Sequence, residues 1–215
     1  MDFKRYVINL ESRPDRRQEI DAELHRIGWE AEFIKAIRPN DTGGFPSVGA
    51  RGCFESHLTV LRMARGSDLI LMEDDLNFVP QFPEKWQSAL GHLPHDWSIF
   101  YPAYDLTVSG LIQPDEAVKG AHMVVFRTSV IDRIITELEN IMSRPPGHAL
   151  GGPMHVDGAY STIRSRHPDI NTYGVYPRLG YQRRSISDIS PAHWLDAYPT
   201  LAIAARKARD FLSPR

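Results

Sequence analysis

Three consecutive carboxylates, Glu73, Asp74 and Asp75, are the part of this sequence best suited to chemistry. They follow the apolar residues 69–72, an unbroken run that predicts a strand buried on both faces. Packing like charges together is costly unless a cation or hydrogen-bond donors offset the repulsion, and Mg²⁺ and Mn²⁺ prefer carboxylate oxygens. Because alternate residues of an extended segment point the same way, Glu73 and Asp75 are predicted to face one ion. The alternative is a solvated acidic turn, but the buried run before it favours a ligand site.

A basic cluster formed by Arg13, Arg16 and Arg17 lies at the first predicted strand-to-helix turn. A helix N-terminus offers free N–H groups and a positive dipole end, and arginine adds paired donors, so this turn suits a phosphate group. The alternative is an ordinary charged helix face.

The order of the predicted elements indicates an α/β fold. Residues 6–10 predict a strand, Ser12 an N-cap and Gly28 a helix end. The strand, helix and strand expected next lie at 32–37, around 53–64 and at 68–72. This β-α-β-α-β order predicts a mostly parallel sheet, and such sheets bind ligands at the carboxyl ends of their strands. Later expectations are a helix at Trp86, strands at 97–101 and 121–126, a helix from Ser129, a loop at 144–153 and a basic amphipathic helix at 201–212.

Composition narrows the functional classes. The 215 residues fit one domain with a normal apolar fraction. The balance of 25 basic and 27 acidic residues excludes the excess of positive charge that general nucleic-acid binding requires. Cys53 is the only cysteine, and no run approaches the roughly 18 apolar residues of a membrane span. We therefore expect a cytoplasmic protein with at most peripheral contact with the inner face of a membrane, to which the tail helix could bind if it does not pack on its own domain.

Several motifs together resemble glycosyltransferase family 25, which contains bacterial lipooligosaccharide and procollagen galactosyltransferases. The matching segments, in family order, are residues 6–17, 49–57, 69–75, 156–157 and 181–189. The resemblance implies a GT-A-like (Rossmann-like) fold, a UDP-sugar donor, commonly UDP-galactose, and inversion at the anomeric carbon. It also implies a Mn²⁺ or Mg²⁺ cofactor at a counterpart of the DxD motif.

The resemblance assigns roles to individual residues. Asp75 and Glu73 are the implied metal ligands, and Asp157 is the candidate general base that accepts the proton of the acceptor hydroxyl. The implied donor-binding residues are Asn9, Arg13, Arg16, Ser56, His57, Glu73, Asp74 and Ser187. Asp157 has a second interpretation, as the cap of a helix spanning residues 158–166. His155 and His193 are alternatives for a further metal ligand, and Arg183 and Arg184 either close over the diphosphate or lie in a surface loop.

The resulting hypothesis is a metal-dependent inverting transferase moving a hexose, such as galactose, from a UDP-sugar to a saccharide or glycolipid acceptor, such as a lipopolysaccharide. A single domain, 1–215, is expected to comprise a nucleotide-sugar half (1–100), an acceptor half (101–195) and a C-terminal helix (196–215). A metal-dependent phosphoesterase and an inactive carbohydrate-binding relative remain alternatives.

Overall fold

A computed structural model describes residues 2–183, which form five helices and nine strands. The helices are α1 (Pro14–Arg26), α2 (Val48–Met63), α3 (Phe82–His92), α4 (Thr128–Ser143) and α5 (Val156–Arg166). The strands are β1 (Phe3–Asn9), β2 (Glu32–Lys35), β3 (Asp68–Glu73), β4 (Leu76–Phe78), β5 (Ile99–Tyr101), β6 (Gly110–Leu111), β7 (Met123–Phe126), β8 (Thr172–Gly174) and β9 (Gly180–Gln182). The helix expected at 201–212 lies outside the described residues.

Seven strands form the central sheet in the order β2-β1-β3-β7-β5-β8-β6. β1 is parallel to both β2 and β3, β5 is parallel to β8, and the antiparallel pairs all involve β7 or β6. Five of the seven strands therefore run in one direction. The prediction of an α/β fold with a mostly parallel central sheet is confirmed.

The sheet separates two apolar cores, and β3 contributes to both. Leu69 and Leu71 pack with the cluster that contains residues of α2, α4 and α5, while Ile70 and Met72 pack with residues of α1 and α3. All four side chains are fully buried, as the unbroken apolar run predicts. Burying each contributes about 1.5–3 kcal/mol, so β3 is firmly held up to its carboxyl end.

Helix starts differ in detail from the sequence interpretation. The N-cap of α1 is Arg13, which makes no side-chain cap hydrogen bond, so the prediction of Ser12 as N-cap is wrong. Pro14, whose fixed φ suits a first helical position, sets the start instead. The N-cap of α2 is Ser47, whose hydroxyl accepts a hydrogen bond from the Ala50 N–H at 3.0 Å.

A two-stranded sheet formed by β4 and β9 lies beside the end of β3. It pairs Leu76 with Gln182 and so brings residues more than 100 positions apart in the chain next to the acidic turn. The loop at 144–153 is present as predicted and closes on itself, because Arg144 donates to the Leu150 carbonyl at 2.8 Å. Among residues 2–183, no helix is long and apolar enough to cross a bilayer.

Candidate active site at the acidic turn

The three carboxylates lie at the carboxyl end of β3, in the turn that leads into β4. Glu73 is the last residue of the strand and lies on the α2 side of the sheet, where it contacts His57. Asp74 lies on the α1 side, where it contacts Arg16. Asp74 and Asp75 are each only 5% exposed, so the alternative of a solvated acidic turn is wrong.

The negative charge of Asp74 is compensated by hydrogen-bond donors from β1 and α1. Asn9, at the end of β1, donates its side-chain amide to Asp74 Oδ2 at 2.7 Å and also to the Arg13 carbonyl at 3.2 Å. Arg16, in the first turn of α1, donates to Asp74 Oδ1 at 3.1 Å. Three of the predicted donor-binding residues, Asn9, Arg16 and Asp74, therefore form one hydrogen-bonded group.

The negative charge of Asp75 is compensated less completely than that of Asp74. Its Oδ2 accepts a hydrogen bond from Gln182 Nε2 at 3.0 Å and lies 3.6 Å from Arg16 Nη1. Its Oδ1 is enclosed and has no hydrogen-bond partner among the described residues. Burial, followed by the negative charge of Glu73, raises the pKa of Asp75 to about 7. A buried carboxylate oxygen without a hydrogen-bond donor is a position where a bound cation would supply the missing partner.

Glu73 is held from the opposite side by a chain of buried groups. His57 Nε2 lies 3.1 Å from Glu73 Oε1, and His57 Nδ1 lies 3.1 Å from the Tyr160 hydroxyl. The Cys53 thiol lies 3.6 Å from the same glutamate oxygen. Burial acts to raise the pKa of Glu73, but the hydrogen bond and electrostatic effect of His57 outweigh it and lower the pKa. Glu73 is therefore an oriented carboxylate.

Two other predicted donor-binding residues of α2 lie inside the protein. His57 is fully buried and reaches the site only through Glu73. Ser56 is 1% exposed, accepts a hydrogen bond from the Ile37 N–H at 2.8 Å and donates to the Gly52 carbonyl at 2.6 Å. These bonds tie α2 to the segment that follows β2. Contact of either residue with a donor stays a prediction.

Arg13 lies beside the group formed by Asn9, Arg16 and Asp74. Its guanidinium pairs with Asp15 at 2.9 Å in the first turn of α1, and its carbonyl accepts the Asn9 amide. The hydrogen bond to Arg13 lowers the pKa of Asp15, against a smaller opposing effect of burial. Ser187, Arg184 and His193 lie outside the described residues.

Asp157 lies in the first turn of α5, and its carboxylate accepts two backbone N–H groups. One comes from Gly158 at 2.8 Å and the other from Gly120 at 3.0 Å. The helix begins at Val156 with His155 as N-cap, so the interpretation of Asp157 as the N-cap of a helix starting at Gly158 is wrong. Asp157 nevertheless binds the N-terminal turn of α5 and fixes the loop before β7 to it. Gly120 lies two residues before His122, whose carbonyl accepts the Glu73 N–H, so this loop joins Asp157 to the acidic turn.

Three further residues at this site were not assigned a definite role from the sequence. Gln182 bonds Asp75, and Arg183 donates to the Asp74 carbonyl at 2.8 Å and to Asn77 Oδ1 at 2.7 Å, so Arg183 fastens the acidic turn. His122, the residue before β7, accepts the Glu73 N–H with its carbonyl at 3.0 Å. Burial lowers the pKa of His122, against the opposing effects of Glu73 and the Ala103 backbone. Gln182 and Arg183 lie within the motif at 181–189, but no sequence signal indicates His122.

Comparisons with known proteins agree with the motifs. A profile of glycosyltransferase family 25 (LPS biosynthesis protein) matches residues 2–44. A glycosyltransferase 25 family member of Aedes aegypti is 25% identical over 122 residues, which cover 45% of this chain and 20% of the relative. Another from Drosophila pseudoobscura pseudoobscura is 30% identical over 101 residues, which cover 36% and 16%. The chain spans a third or less of the length of the curated relatives it matches.

Solved structures are similar to this chain only at low sequence identity. The enzyme that takes part in glycosylating the major capsid of PBCV-1 matches with a TM-score of 0.45 and 8% identity, over 86% of this chain and 96% of that one. S. aureus TarS in complex with UDP-GlcNAc matches with a TM-score of 0.48 and 9% identity, over 96% and 66%. The family profile and the sequence relatives confirm the resemblance predicted from the motifs: over part of its length, this chain is similar to the family 25 glycosyltransferases.

Proposed function

We propose that this chain transfers a hexose, such as galactose, from a UDP-sugar to a saccharide acceptor, with inversion at the anomeric carbon and with a bound Mn²⁺ or Mg²⁺. The observation that carries the proposal is the acidic turn itself. Asp74 and Asp75 are buried against Arg16 at the carboxyl edge of the sheet, the edge at which open α/β sheets bind their ligands. Similarity to glycosyltransferase family 25 supports a glycosyltransferase, while the donor, the metal and the stereochemistry belong to the proposal.

The nucleotide diphosphate is assigned to the space between the acidic turn and the start of α1. The N-terminal turn of that helix offers N–H groups and the positive end of its dipole. Arg13 and Arg16 add guanidinium donors, and Asn9 holds this turn next to Asp74 through its bonds to the Arg13 carbonyl and the Asp74 carboxylate. Positive and negative groups thus lie side by side, as a cation and a diphosphate bound together require.

The residues at the turn fit a hard divalent cation. The enclosed Oδ1 of Asp75 has no hydrogen-bond partner among the described residues, and Glu73 adds a second carboxylate close enough to raise the pKa of Asp75. We assign Asp75 as the principal metal ligand and Glu73 as the second. A bound divalent ion would neutralise charge on the departing diphosphate, which typically stabilises a transition state by several kcal/mol.

The acceptor is assigned to the side of the turn that carries Asp157. The two backbone N–H groups fix the orientation of its carboxylate and leave further lone pairs for an acceptor hydroxyl. In the proposed single displacement, the acceptor oxygen bonds to C1 of the sugar as the bond from C1 to the diphosphate breaks. Asp157 takes the hydroxyl proton, a contribution typically worth roughly 10²–10⁴-fold in rate.

This arrangement also supports the proposed division of the chain. The nucleotide groups come from residues 1–100, and Asp157 comes from residues 101–195. Two proposals stand on the sequence alone: donor contact by Ser187, and a cytoplasmic location with peripheral contact with the inner membrane face, where a glycolipid acceptor would be reached.

The test is calorimetry of UDP and a panel of UDP-hexoses, with and without Mn²⁺, on three proteins. These are the wild type, Asp75→Asn and the control Asp115→Asn, which neutralises an exposed carboxylate. We expect metal-dependent binding of UDP in the wild type and the control, and at least a tenfold loss, about 1.4 kcal/mol, in Asp75→Asn. Equal binding with and without metal would refute the metal assignment, and no binding of any nucleotide would refute the transferase.

Product analysis separates the remaining functions. Sugar transfer releases UDP together with a glycosylated acceptor, whereas a phosphoesterase would release inorganic phosphate without sugar transfer. An inactive carbohydrate-binding relative would bind saccharide without metal-dependent nucleotide affinity, and Asp75→Asn would leave its binding unchanged.

A further inference from the structure

We propose that Cys53, His57 and Glu73 form a second metal site, which binds a borderline transition-metal ion of the Zn²⁺ type on the α2 side of the acidic turn. The three ligand atoms, Sγ, an imidazole nitrogen and a carboxylate oxygen, lie within 4.8 Å of one another. Cys53 and His57 are four residues apart on α2 and therefore share one face of the helix. Glu73, at the end of β3, closes the group from the sheet.

The separations fit a tetrahedral ion. With Zn–S of about 2.3 Å and Zn–N and Zn–O of about 2.0–2.2 Å, tetrahedral angles place S and O about 3.6 Å apart and N and O about 3.4 Å apart. The observed distances are 3.6 Å from Cys53 Sγ to Glu73 Oε1 and 3.1 Å from His57 Nε2 to the same oxygen. These two distances lie within about 0.3 Å of the tetrahedral values, and the third, from Cys53 Sγ to the imidazole nitrogen, is at most 4.8 Å.

Tyr160 provides the outer-shell contact that metal-bound histidines usually have. Its hydroxyl lies 3.1 Å from His57 Nδ1, and both side chains are fully buried. A hydroxyl can donate or accept, so it can serve either tautomer of His57. In the metal-free tautomer whose Nε2–H donates to Glu73, the Tyr160 hydroxyl would donate to Nδ1. With metal, Nε2 bonds the ion and Nδ1–H donates to Tyr160, the arrangement that fixes a ligating imidazole.

The site differs in ligand chemistry from the position assigned to Mn²⁺ or Mg²⁺. Sulfur and imidazole favour Zn²⁺-type ions, whereas Asp75 offers only oxygen. Glu73, whose side chain is 18% exposed, is common to both positions and provides the opening to solvent. When the ion binds, the sulfur–metal bond replaces the Cys53 S–H bond and the proton passes to solvent. The inference does not depend on sugar transfer, because binding of the metal alone tests it.

The experiment is a titration of the metal-free protein with Co²⁺, followed by absorbance. A thiolate bound to Co²⁺ gives a ligand-to-metal charge-transfer band, and Cys53 is the only cysteine, so the band reports this site alone. We expect the band to saturate at one equivalent and to disappear when Zn²⁺ is added. Absence of the band in the wild-type protein would overturn the proposal.

Variants separate this site from the Asp75 position. We expect Cys53→Ser to lose the band, Tyr160→Phe to keep it with affinity reduced roughly 10–100-fold, and Asp75→Asn to keep it unchanged. Retention of full affinity in His57→Asn would overturn the assignment of that ligand. Alkylation of Cys53 in the wild-type protein supplies a test that needs no variant. Zn²⁺ should slow the reaction at least tenfold while Mn²⁺ does not, and equal rates with and without Zn²⁺ would contradict the proposal.

Discussion

Asp75 is expected to make the metal-free protein less stable as the pH rises, because its pKa is higher in the folded than in the unfolded chain. Burial and Glu73 raise that pKa from 3.8 to about 7. Below about pH 4 both states are protonated and the group has no effect. Between the two pKa values only the folded state holds the proton, so each pH unit removes stability. Above pH 7 the whole penalty is present.

The size of the effect follows from the shift. Roughly three pKa units at 1.36 kcal/mol each give about 4 kcal/mol. Because Glu73 and Asp75 repel each other, part of this penalty is shared, and neutralising Asp75 should remove about 2–4 kcal/mol. Asp75→Asn keeps the shape of the side chain and an oxygen that can accept the Gln182 amide. The variant is therefore expected to lose much less stability than the wild type between pH 5 and pH 8.

The assay is urea unfolding in the presence of a chelator at these two pH values, followed by tryptophan fluorescence. Asp115→Asn serves as the control, because its carboxylate is exposed. Comparing the change with pH in each protein cancels any constant effect of the asparagine itself. Parallel pH dependence in the wild type and Asp75→Asn would refute the electrostatic reasoning. With Mn²⁺ at 100 times its Kd, the wild type should regain about 2.7 kcal/mol at pH 8, and Asp75→Asn should regain much less.

Two packing predictions concern the frame around the site. Gly52→Ala should destabilise the protein by about 1–3 kcal/mol in urea unfolding, because its Cβ would lie 2.4 Å from the Ile37 carbonyl oxygen. The matched change Gly91→Ala, with nothing within 4 Å, should be neutral or stabilise α3 by up to about 1 kcal/mol, and equal effects of the two changes would contradict the packing argument. Arg164→Met should cost about 2–4 kcal/mol, because the buried guanidinium donates to the carbonyls of residues 112, 113 and 116 and to Thr172. An unchanged thermal midpoint in Arg164→Met would refute that account.

Local patterns predicted the frame of the fold well. The apolar run at 69–72, the period of α4 and the glycine and proline residues at 144–153 each have one dominant physical interpretation. The cap of α1 was less predictable. Ser12 has the right chemistry, but Pro14 has a fixed φ and determines where the helix begins.

The site was only partly predictable, because its remaining contacts join distant parts of the chain. Pairing of β4 with β9 brings Gln182 to Asp75 across 107 positions, and two three-residue strands leave little signal in a sequence. Sequence also could not place His57, since its position on α2 follows from how the helix packs on the sheet. The alternation argument for Glu73 and Asp75 applies only within β3, and that strand ends at Glu73.

The position of the acidic triplet across the sheet explains why Asp75, and neither Glu73 nor Asp74, has a buried carboxylate oxygen without a donor among the described residues. Glu73, the last residue of β3, lies on the α2 side, where His57 favours its ionised form. Asp74 lies on the α1 side, where Asn9 and Arg16 donate hydrogen bonds to its carboxylate. Asp75 follows the end of the strand and belongs fully to neither side. Asp75 is buried and repelled by Glu73, and its negative charge is only partly compensated. No described donor reaches its Oδ1, so a cation bound there would remove an electrostatic cost that the protein alone does not offset. Mutations that weaken the compensation of Glu73 or Asp74 should therefore lower stability. Neutralising Asp75 should instead relieve the repulsion and weaken metal-dependent nucleotide binding at least tenfold. Stability changes of opposite sign at neighbouring carboxylates are what we expect of a turn that is held rigid for a ligand.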